Sequence, residues 1–507
     1  MTQKLIKIFS RFYPFYFAIF PIITFYSTNR RELILSAICL PIIVFVSITA
    51  FVWYLSTVVF KGKDDAKIVI SLFLMYFFSY QHFSRFTKTL FFYSLVFALL
   101  TYVFIRVKQK TNAHVILSIL GSYLLIYNLI QIIPFEIKRL WNKPKMIPIE
   151  MLVSKTLNKS ELPDIYYLIF DRYASFSTLS DYYDFDNNDL FNFLLNQDFY
   201  VATESAANYP RTYLSLSSSL SLDYLDDLAE KLGKENSDYT PIFELVQNNK
   251  VASFLKEQGY FYIYAGDWWG PTQISKQANK NINLYADSSE FLRKFLGTTI
   301  LKPLIGNYYK GNKLFGFFQD RIYENTNYKF EKLSNIADEK SPKFVYAHML
   351  IPHHPYLFDK DCKRVDDKRK LPEKEKYLEQ LICVNSKIEK LIDEILAKSK
   401  KPPIIIVQSD EGPFKIDEMN LDGEGRDWTK VSDEAVKTHM GILNAYYLPG
   451  FDYKKLYPSI TPVNTFRLIF NYYFGTNLKN LPDKNYFIPN IDRPYNFLEI
   501  TDTLRSD

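Results

Sequence analysis

The sequence predicts a chain in two parts: an N-terminal bundle of transmembrane helices, then an α/β domain with a mostly parallel sheet flanked by helices. Three observations carry this. Long apolar blocks fill the chain to about residue 135 and then stop. Beyond that point short β-branched and aromatic runs alternate with helix-like stretches, the strand, helix, strand rhythm of a parallel sheet. Two of these runs, Ile165-Tyr166-Tyr167-Leu168-Ile169-Phe170 and Ile404-Ile405-Ile406-Val407-Gln408-Ser409, end abruptly in acid, at Asp171 and at Asp410-Glu411. Ligands of open α/β sheets collect beyond the carboxyl ends of the strands. Each acid alone could equally cap a following turn or helix, but two such strands in one domain favour a shared site.

The apolar blocks cover residues 12–25, 33–60, 68–83, 90–107 and 115–134, so that 1–135 reads as about five transmembrane helices. Most approach the ~20 residues needed to cross ~30 Å of hydrocarbon. The first block lacks a small-residue cleavage site and further blocks follow it, which argues against a cleaved signal peptide. Basic residues divide almost evenly between the two sets of loops, but Lys4, Lys7 and Arg11 ahead of the first block favour an inside N-terminus. Five spans then put the α/β domain outside. Within the blocks the ionisable residues are His82 and Arg106, each near one end, which argues against an ion pathway and hence against a transporter. The net charge of +6 is small for 507 residues and scattered among acids, so nucleic acid is not an expected partner.

Residues 136–162, rich in Lys and Pro, read as a juxtamembrane linker, and the domain proper spans 163–507. After the first acidic strand come a polar helix-like stretch at 179–197, a short strand at 199–202, and Tyr209-Pro210, where proline disfavours helix for its predecessor. A small-residue stretch at 212–225 follows, then a helix at 242–258 closed by Gly259 and an aromatic strand at 260–264. The strand Phe344-Val345-Tyr346-Ala347-His348 leads into Pro352-His353-His354-Pro355. Residues 373–397 carry the helical stripe Leu378, Leu381, Ile382, Ile388, Leu391, Ile392 and Ile395, feeding the second acidic strand.

Asp171, Asp410 and Glu411 are hard anionic ligands suited to Mg²⁺, Mn²⁺ or Ca²⁺, and no cysteine or histidine spacing suggests structural zinc. Thr212 opens a run containing Ser215, Ser217, Ser218 and Ser219. It is either a nucleophile activated by a divalent cation or a helix N-cap above packing serines. His348, His353 and His439 lie near presumed strand ends, where each could hold a phosphate, protonate a leaving oxygen or serve a structural role. Trp268-Trp269-Gly270-Pro271 could form an apolar wall for a sugar or glycerol, or be core. Cys362 and Cys383 are the cysteines of the second part, either a disulfide or two buried thiols.

Several segments together carry a resemblance: Pro163-Asp164-Ile165-Tyr166-Tyr167-Leu168-Ile169-Phe170-Asp171-Arg172-Tyr173, Asn208-Tyr209-Pro210-Arg211-Thr212-Tyr213-Leu214-Ser215-Leu216, Pro352-His353-His354-Pro355-Tyr356, Ser409-Asp410-Glu411-Gly412 and the stretch from Gly441 to Thr465. The chain resembles the membrane-bound, sulfatase-like branch of the alkaline phosphatase superfamily, relatives of lipoteichoic acid synthases and phosphoethanolamine transferases. The resemblance implies a sulfatase-like α/β domain on the outer side of a bacterial cytoplasmic membrane, acting on a lipid or glycan phosphoester. It implies Asp171, Thr212, Asp410 and Glu411 as metal ligands, Thr212 as the nucleophile that becomes a phospho-enzyme, and His353 and His439 nearer the substrate; His348, Arg211 and Trp269 are further substrate-binding candidates.

Two departures matter. The family usually has Ser-Asp-His-Gly where this chain has Ser409-Asp410-Glu411-Gly412, and an oxygen ligand in place of nitrogen favours Mn²⁺ or Mg²⁺ over Zn²⁺ or Ca²⁺. True sulfatases of this fold mature a Cys or Ser in a Cys-x-Pro-x-Arg type motif, and no cysteine lies near Thr212, so phosphoester chemistry is expected over sulfate ester hydrolysis. The competing expectation is a catalytically inactive envelope protein that binds an anionic glycan or a partner. Oligomeric state is not legible.

Overall fold

The computed structural model describes residues 12–59, 63–83, 94–95, 97–99, 102, 113–142, 162–284, 290–301, 317–366, 369–415 and 431–505. The chain divides into two compact units, Met1–Lys143 with Ser288–Phe317, and Pro144–Asp287 with Phe318–Asp507.

The first unit holds the helices Tyr13–Asn29, Cys39–Val59, Lys63–Phe83 and Ala113–Trp141. They coincide with four of the five apolar blocks; the block at 90–107 falls largely outside the described residues. Among the described residues two stretches are long and apolar enough to cross a membrane, Leu35–Val58 and His114–Trp141, with a shorter apolar helix at Ala66–Tyr80. That is fewer than the five spans expected: the first block forms a helix of 17 residues with Pro21 inside it. Ile43, Phe51, Tyr54 and Val58, with Ile119, Tyr123 and Ile130, all stand exposed on the two long helices. A contiguous apolar surface of this kind suits hydrocarbon and not water.

Glu136, just past the last apolar block, is part of the packing. Tyr26 donates to its carboxylate at 2.6 Å, and Arg139 bonds both that carboxylate and the Leu33 carbonyl at 2.9 Å. Residues 288–317 group with this unit although the sequence places them within the second part. The helix Glu290–Leu296 buries Phe291 and Phe295 against Phe25, Phe45 and Phe78, and Ile300 N donates to Phe77 O at 2.9 Å.

The second unit is built on seven strands: β1 Ile165–Phe170, β2 Tyr200–Val201, β3 Phe261–Ala265, β4 Lys280–Ile282, β5 Lys343–Met349, β6 Ile404–Gln408 and β7 Asn444–Tyr447. Their order in the sheet is β2-β7-β6-β1-β5-β3-β4. β7 runs antiparallel to β6 and β2, and the other pairings are parallel. The mostly parallel α/β domain expected from the sequence is therefore what forms.

Alternation along β1 divides the core. Tyr166, Leu168 and Phe170 pack into one layer with Leu381, Ile388 and Ile392 of the helix Glu373–Lys398, the stripe noted above. Ile165, Tyr167 and Ile169 pack into the other, against the helices Thr212–Ser221 and Pro462–Phe474. The single helix expected at 242–258 is two, Thr240–Gln247 and Lys250–Glu257, because the Asn249 side chain accepts from Ala252 N and starts a new helix. Cys362 and Cys383 form a disulfide that pins the segment after β5 to the Glu373–Lys398 helix.

Candidate metal centre

β6, β1 and β5 are adjacent, central and parallel, so their C-terminal ends open onto one edge, with Ile169 of β1 opposite both His348 of β5 and Gln408 of β6. Asp171 leaves β1 with its N–H held by Met349 O at 2.9 Å. Beyond β6, the Ser409 hydroxyl accepts from Tyr173 N at 3.0 Å and donates to Glu411 O at 2.6 Å, which binds the two loops together. Gly412 is dictated by space: a Cβ there would lie 2.6 Å from the carbonyl oxygens of Gly441 and Thr438.

These loops bring Asp171, His348 and Asp410 together, with one donor atom of each within 4.8 Å of the others, all three buried. His348 Nε2 lies 3.7 Å from Asp171 Oδ2 and 3.9 Å from Asp410 Oδ2. Asp171 Oδ1, both Asp410 oxygens and His348 Nε2 have no hydrogen-bond partner among the described residues. Buried carboxylates without donors are costly, and a cation is the partner that removes the cost. Burial, and then the neighbouring Asp410 and Glu411, push the Asp171 carboxyl well above the ordinary carboxylate range. Separations of 3.7 and 3.9 Å are too long for hydrogen bonds. They are somewhat wider than the about 3.4 Å between two ligands each about 2.1 Å from a tetrahedral ion. The donor set fits a divalent metal.

Glu411 is turned toward Arg172, whose Nε lies 3.3 Å from Oε1, both side chains buried. Arg172 directly follows Asp171 and adopts a left-handed φ of 62°, a conformation unfavourable for a residue with a Cβ. Its guanidinium lies 4.4 Å from the Phe414 ring centre, and that of Arg211 lies 5.4 Å from the same ring. Arg172 thus borders the acidic cluster, and Arg211 shares its Phe414 ring.

Thr212 is the first residue of its helix; the capping position belongs to Arg211, so the threonine is not the N-cap. The serines behind it are packing residues: Ser217, Ser218 and Ser219 bond the carbonyls of Ile242, Asp223 and Ser215. His439 ties the segment preceding Thr212 to the loop after Glu411, its Nε2 2.8 Å from Pro210 O and Nδ1 2.9 Å from Gly412 O, with its ring stacked on Phe414 at 4.1 Å. Burial, with Arg211 and Arg172 close by, pulls its pKa down to about 3, so the neutral ring donates its single N–H to one of these carbonyls and turns a lone pair to the other. A residue expected at the substrate is instead engaged with backbone on both ring nitrogens.

The backbone N–H of His353 donates to Asp171 O at 3.2 Å, and its half-buried ring stacks on His354. Burial and Arg172 hold that imidazole neutral. Trp269 is half-buried in a cluster with Tyr213, edge-on to Phe243. His348, expected at the substrate, stands inside the acidic cluster.

No family model matches the chain, and no curated protein matches it. Among solved structures it is similar to the C-terminal periplasmic domain of EcEptC from Escherichia coli in complex with Zn, at 12% identity, covering 66% of this chain and 92% of that one, with a TM-score of 0.43. It is similar to the integral membrane protein lipooligosaccharide phosphoethanolamine transferase A (EptA) from Neisseria meningitidis, at 13% identity, covering 89% of this chain and 77% of that one, with a TM-score of 0.42. It is also similar to the putative sulfatase yidJ from Bacteroides fragilis, at 15% identity, covering 67% and 84%, with a TM-score of 0.39.

Proposed function

We propose that this chain is a membrane-embedded, divalent-metal-dependent phosphotransferase or phosphodiesterase of sulfatase-like fold. It would act on lipid or glycan phosphoesters at the outer face of a bacterial cytoplasmic membrane. The observation that carries the reading is the buried group Asp171, His348 and Asp410, whose donor atoms converge without hydrogen-bond partners among the described residues. In this reading Asp171, Asp410 and His348 hold the ion, and Glu411 reaches it less directly because it is engaged with Arg172. A bound divalent ion supplies Lewis-acid stabilisation of phosphoryl oxygens and eases deprotonation of a neighbouring hydroxyl. The imidazole donor removes the reason to favour Mg²⁺; two carboxylates and one nitrogen suit Mn²⁺ and Zn²⁺.

Thr212 is proposed as the nucleophile. Its position at a helix N-terminus favours an approaching phosphate, and the His439 tether ties its loop to the 409–414 segment. Thr212 Oγ forms a bond to phosphorus as the bond to the donor's oxygen breaks, and that oxygen leaves with a proton. An alcohol or water then displaces Thr212 Oγ, releasing the threonine hydroxyl. Arg211, Arg172 and the neutral His353 are proposed to contact the phosphoryl oxygens and the leaving group, and Trp269 to wall the acceptor. With no cysteine near Thr212 to mature into formylglycine, phosphoesters are favoured over sulfate esters.

The test is hydrolysis of bis(p-nitrophenyl) phosphate by the full chain in detergent, before and after chelation and readdition of Mn²⁺ or Zn²⁺. Activity that needs metal and disappears in Thr212→Ala is expected. Equal turnover by wild type and Thr212→Ala, or by chelated and reloaded protein, would overturn the reading.

A further inference from the structure

His348 is useful to a cation only if its Nε2 lone pair faces Asp171 and Asp410, which requires the proton on Nδ1 and a fixed ring. Its Nδ1 lies 3.1 Å from Thr272 Oγ1. That hydroxyl sits on the short helix Gly270–Thr272 in the loop after β3, and its residue is fully buried. The loop is closed on itself. Asp267 N donates to Thr272 O at 3.1 Å, and Asn283 Nδ2 bonds the carbonyls of both Asp267 and Gln273. Gly266 at its entrance leaves no room for a side chain, since a Cβ would lie 2.1 Å from Gln273 O and 2.5 Å from Thr272 O.

A second hold acts on the backbone of the same histidine. Lys329, from the helix Phe317–Ser334, is fully buried, pairs with Asp267 and donates to His348 O at 2.8 Å. Asp267 Oδ2 also accepts from Leu350 N at 3.4 Å, and its Oδ1 from Trp268 N at 2.8 Å. Burying an ion pair carries a desolvation cost that offsets most of its attraction, so stability alone gives little reason for one here. What the pair does is fix the end of β5 at the His348 carbonyl and at Leu350 just beyond it.

We infer that Thr272, with the Asp267–Lys329 pair behind it, is the positioning element of the metal centre: Thr272 holds the His348 ring orientation and accepts from Nδ1–H when Nε2 faces the cation, and Lys329 fixes the height of that residue on β5. The inference rests on the metal reading proposed above. Outer partners of this kind typically contribute 10- to 100-fold to metal affinity.

The test is calorimetric titration of Mn²⁺ and Zn²⁺ into the chelated full-length protein in detergent. Thr272→Val, close in shape but unable to accept a hydrogen bond from Nδ1–H, is expected to weaken metal binding about 10- to 100-fold. Thr272→Ser, which restores the hydroxyl, is expected to return most of it, an outcome a packing role would not produce. If wild type binds and Thr272→Val binds equally well, this inference falls and the metal centre stands. If wild type binds neither ion, both fall. Should Thr272→Val not fold, Lys329→Arg keeps a cation against Asp267 while displacing the donor from His348 O; unchanged affinity in that variant overturns the inference as well.

Discussion

His348 Nε2 lies 3.7 Å from Asp171 Oδ2, although the two residues come from different strands far apart in the chain. Parallel pairing of β1 with β5 puts Ile169 opposite His348, so Asp171, two residues further on, leaves β1 at the sheet edge where the imidazole of β5 stands. It follows that His348→Gln, Asp171→Asn and Asp410→Asn should each lower divalent-metal affinity by more than the about 10- to 100-fold that an outer partner costs. Glu411→Gln should change it less than about tenfold, because Glu411 faces Arg172. Metal content measured after dialysis checks this; loss of metal in Glu411→Gln with retention in His348→Gln would return the site to an all-carboxylate set.

That contrast marks where the sequence is legible. The strands ending at Asp171 and Asp410 are readable because a short apolar run closed by an acid has few other homes in an α/β fold. Which way consecutive residues point is not. Asp410 turns into the cluster and its neighbour Glu411 toward Arg172, as alternation in extended chain allows. The role of His348 depends on register between strands, which no local pattern encodes. Thr272 and Lys329 carry no signal at all: each matters only through a tertiary partner. The grouping of Glu290–Leu296 with the first unit is invisible for a different reason, since seven residues are too few for a hydropathy pattern to register.

Metal should also stabilise the fold in a pH-dependent way. The Asp171 carboxyl is raised above its unfolded value by burial and by the acids beside it. The metal-free native state therefore holds more protons than the unfolded chain, and its stability falls as pH rises above about 3.9, through the folded-state pKa. An ion that replaces the proton removes this slope. Thermal unfolding of chelated protein across pH 4 to 8 should show the decline, and saturating Mn²⁺ should flatten or reverse it. Parallel curves with and without metal would contradict the arrangement.

Reducing the disulfide has a separate, structural consequence. Cys362 and Cys383 are 21 residues apart, and closing a loop of that size restricts the unfolded chain by about 3 kcal/mol. Cys362→Ser combined with Cys383→Ser should lower stability by about that amount in denaturant melts while leaving metal affinity within about threefold, because neither cysteine touches the cluster. A metal-binding defect as large as that of Asp171→Asn would show that the loop shapes the site.

Lys387 gives a titration remote from the metal. Its ammonium lies 5.0 Å from the Phe330 ring centre and 5.3 Å from that of Phe358, and donates to Asn327 Oδ1 at 2.9 Å. Burial first, and then Lys390, lower its pKa to about 8. The unfolded value is about 10.4, so between these limits the unfolded chain binds the proton that the native state has released, and stability rises with pH across that window. Below pH 8 both states are charged and the cost of burying the ammonium is present in full. Lys387→Met keeps the apolar stem between the two rings and removes the charge. It should raise stability at pH 7 and lose the rise between pH 8 and 10, both read from denaturant midpoints. A destabilised Lys387→Met at pH 7 would mean that its attraction to the aromatic rings and Asn327 outweighs desolvation.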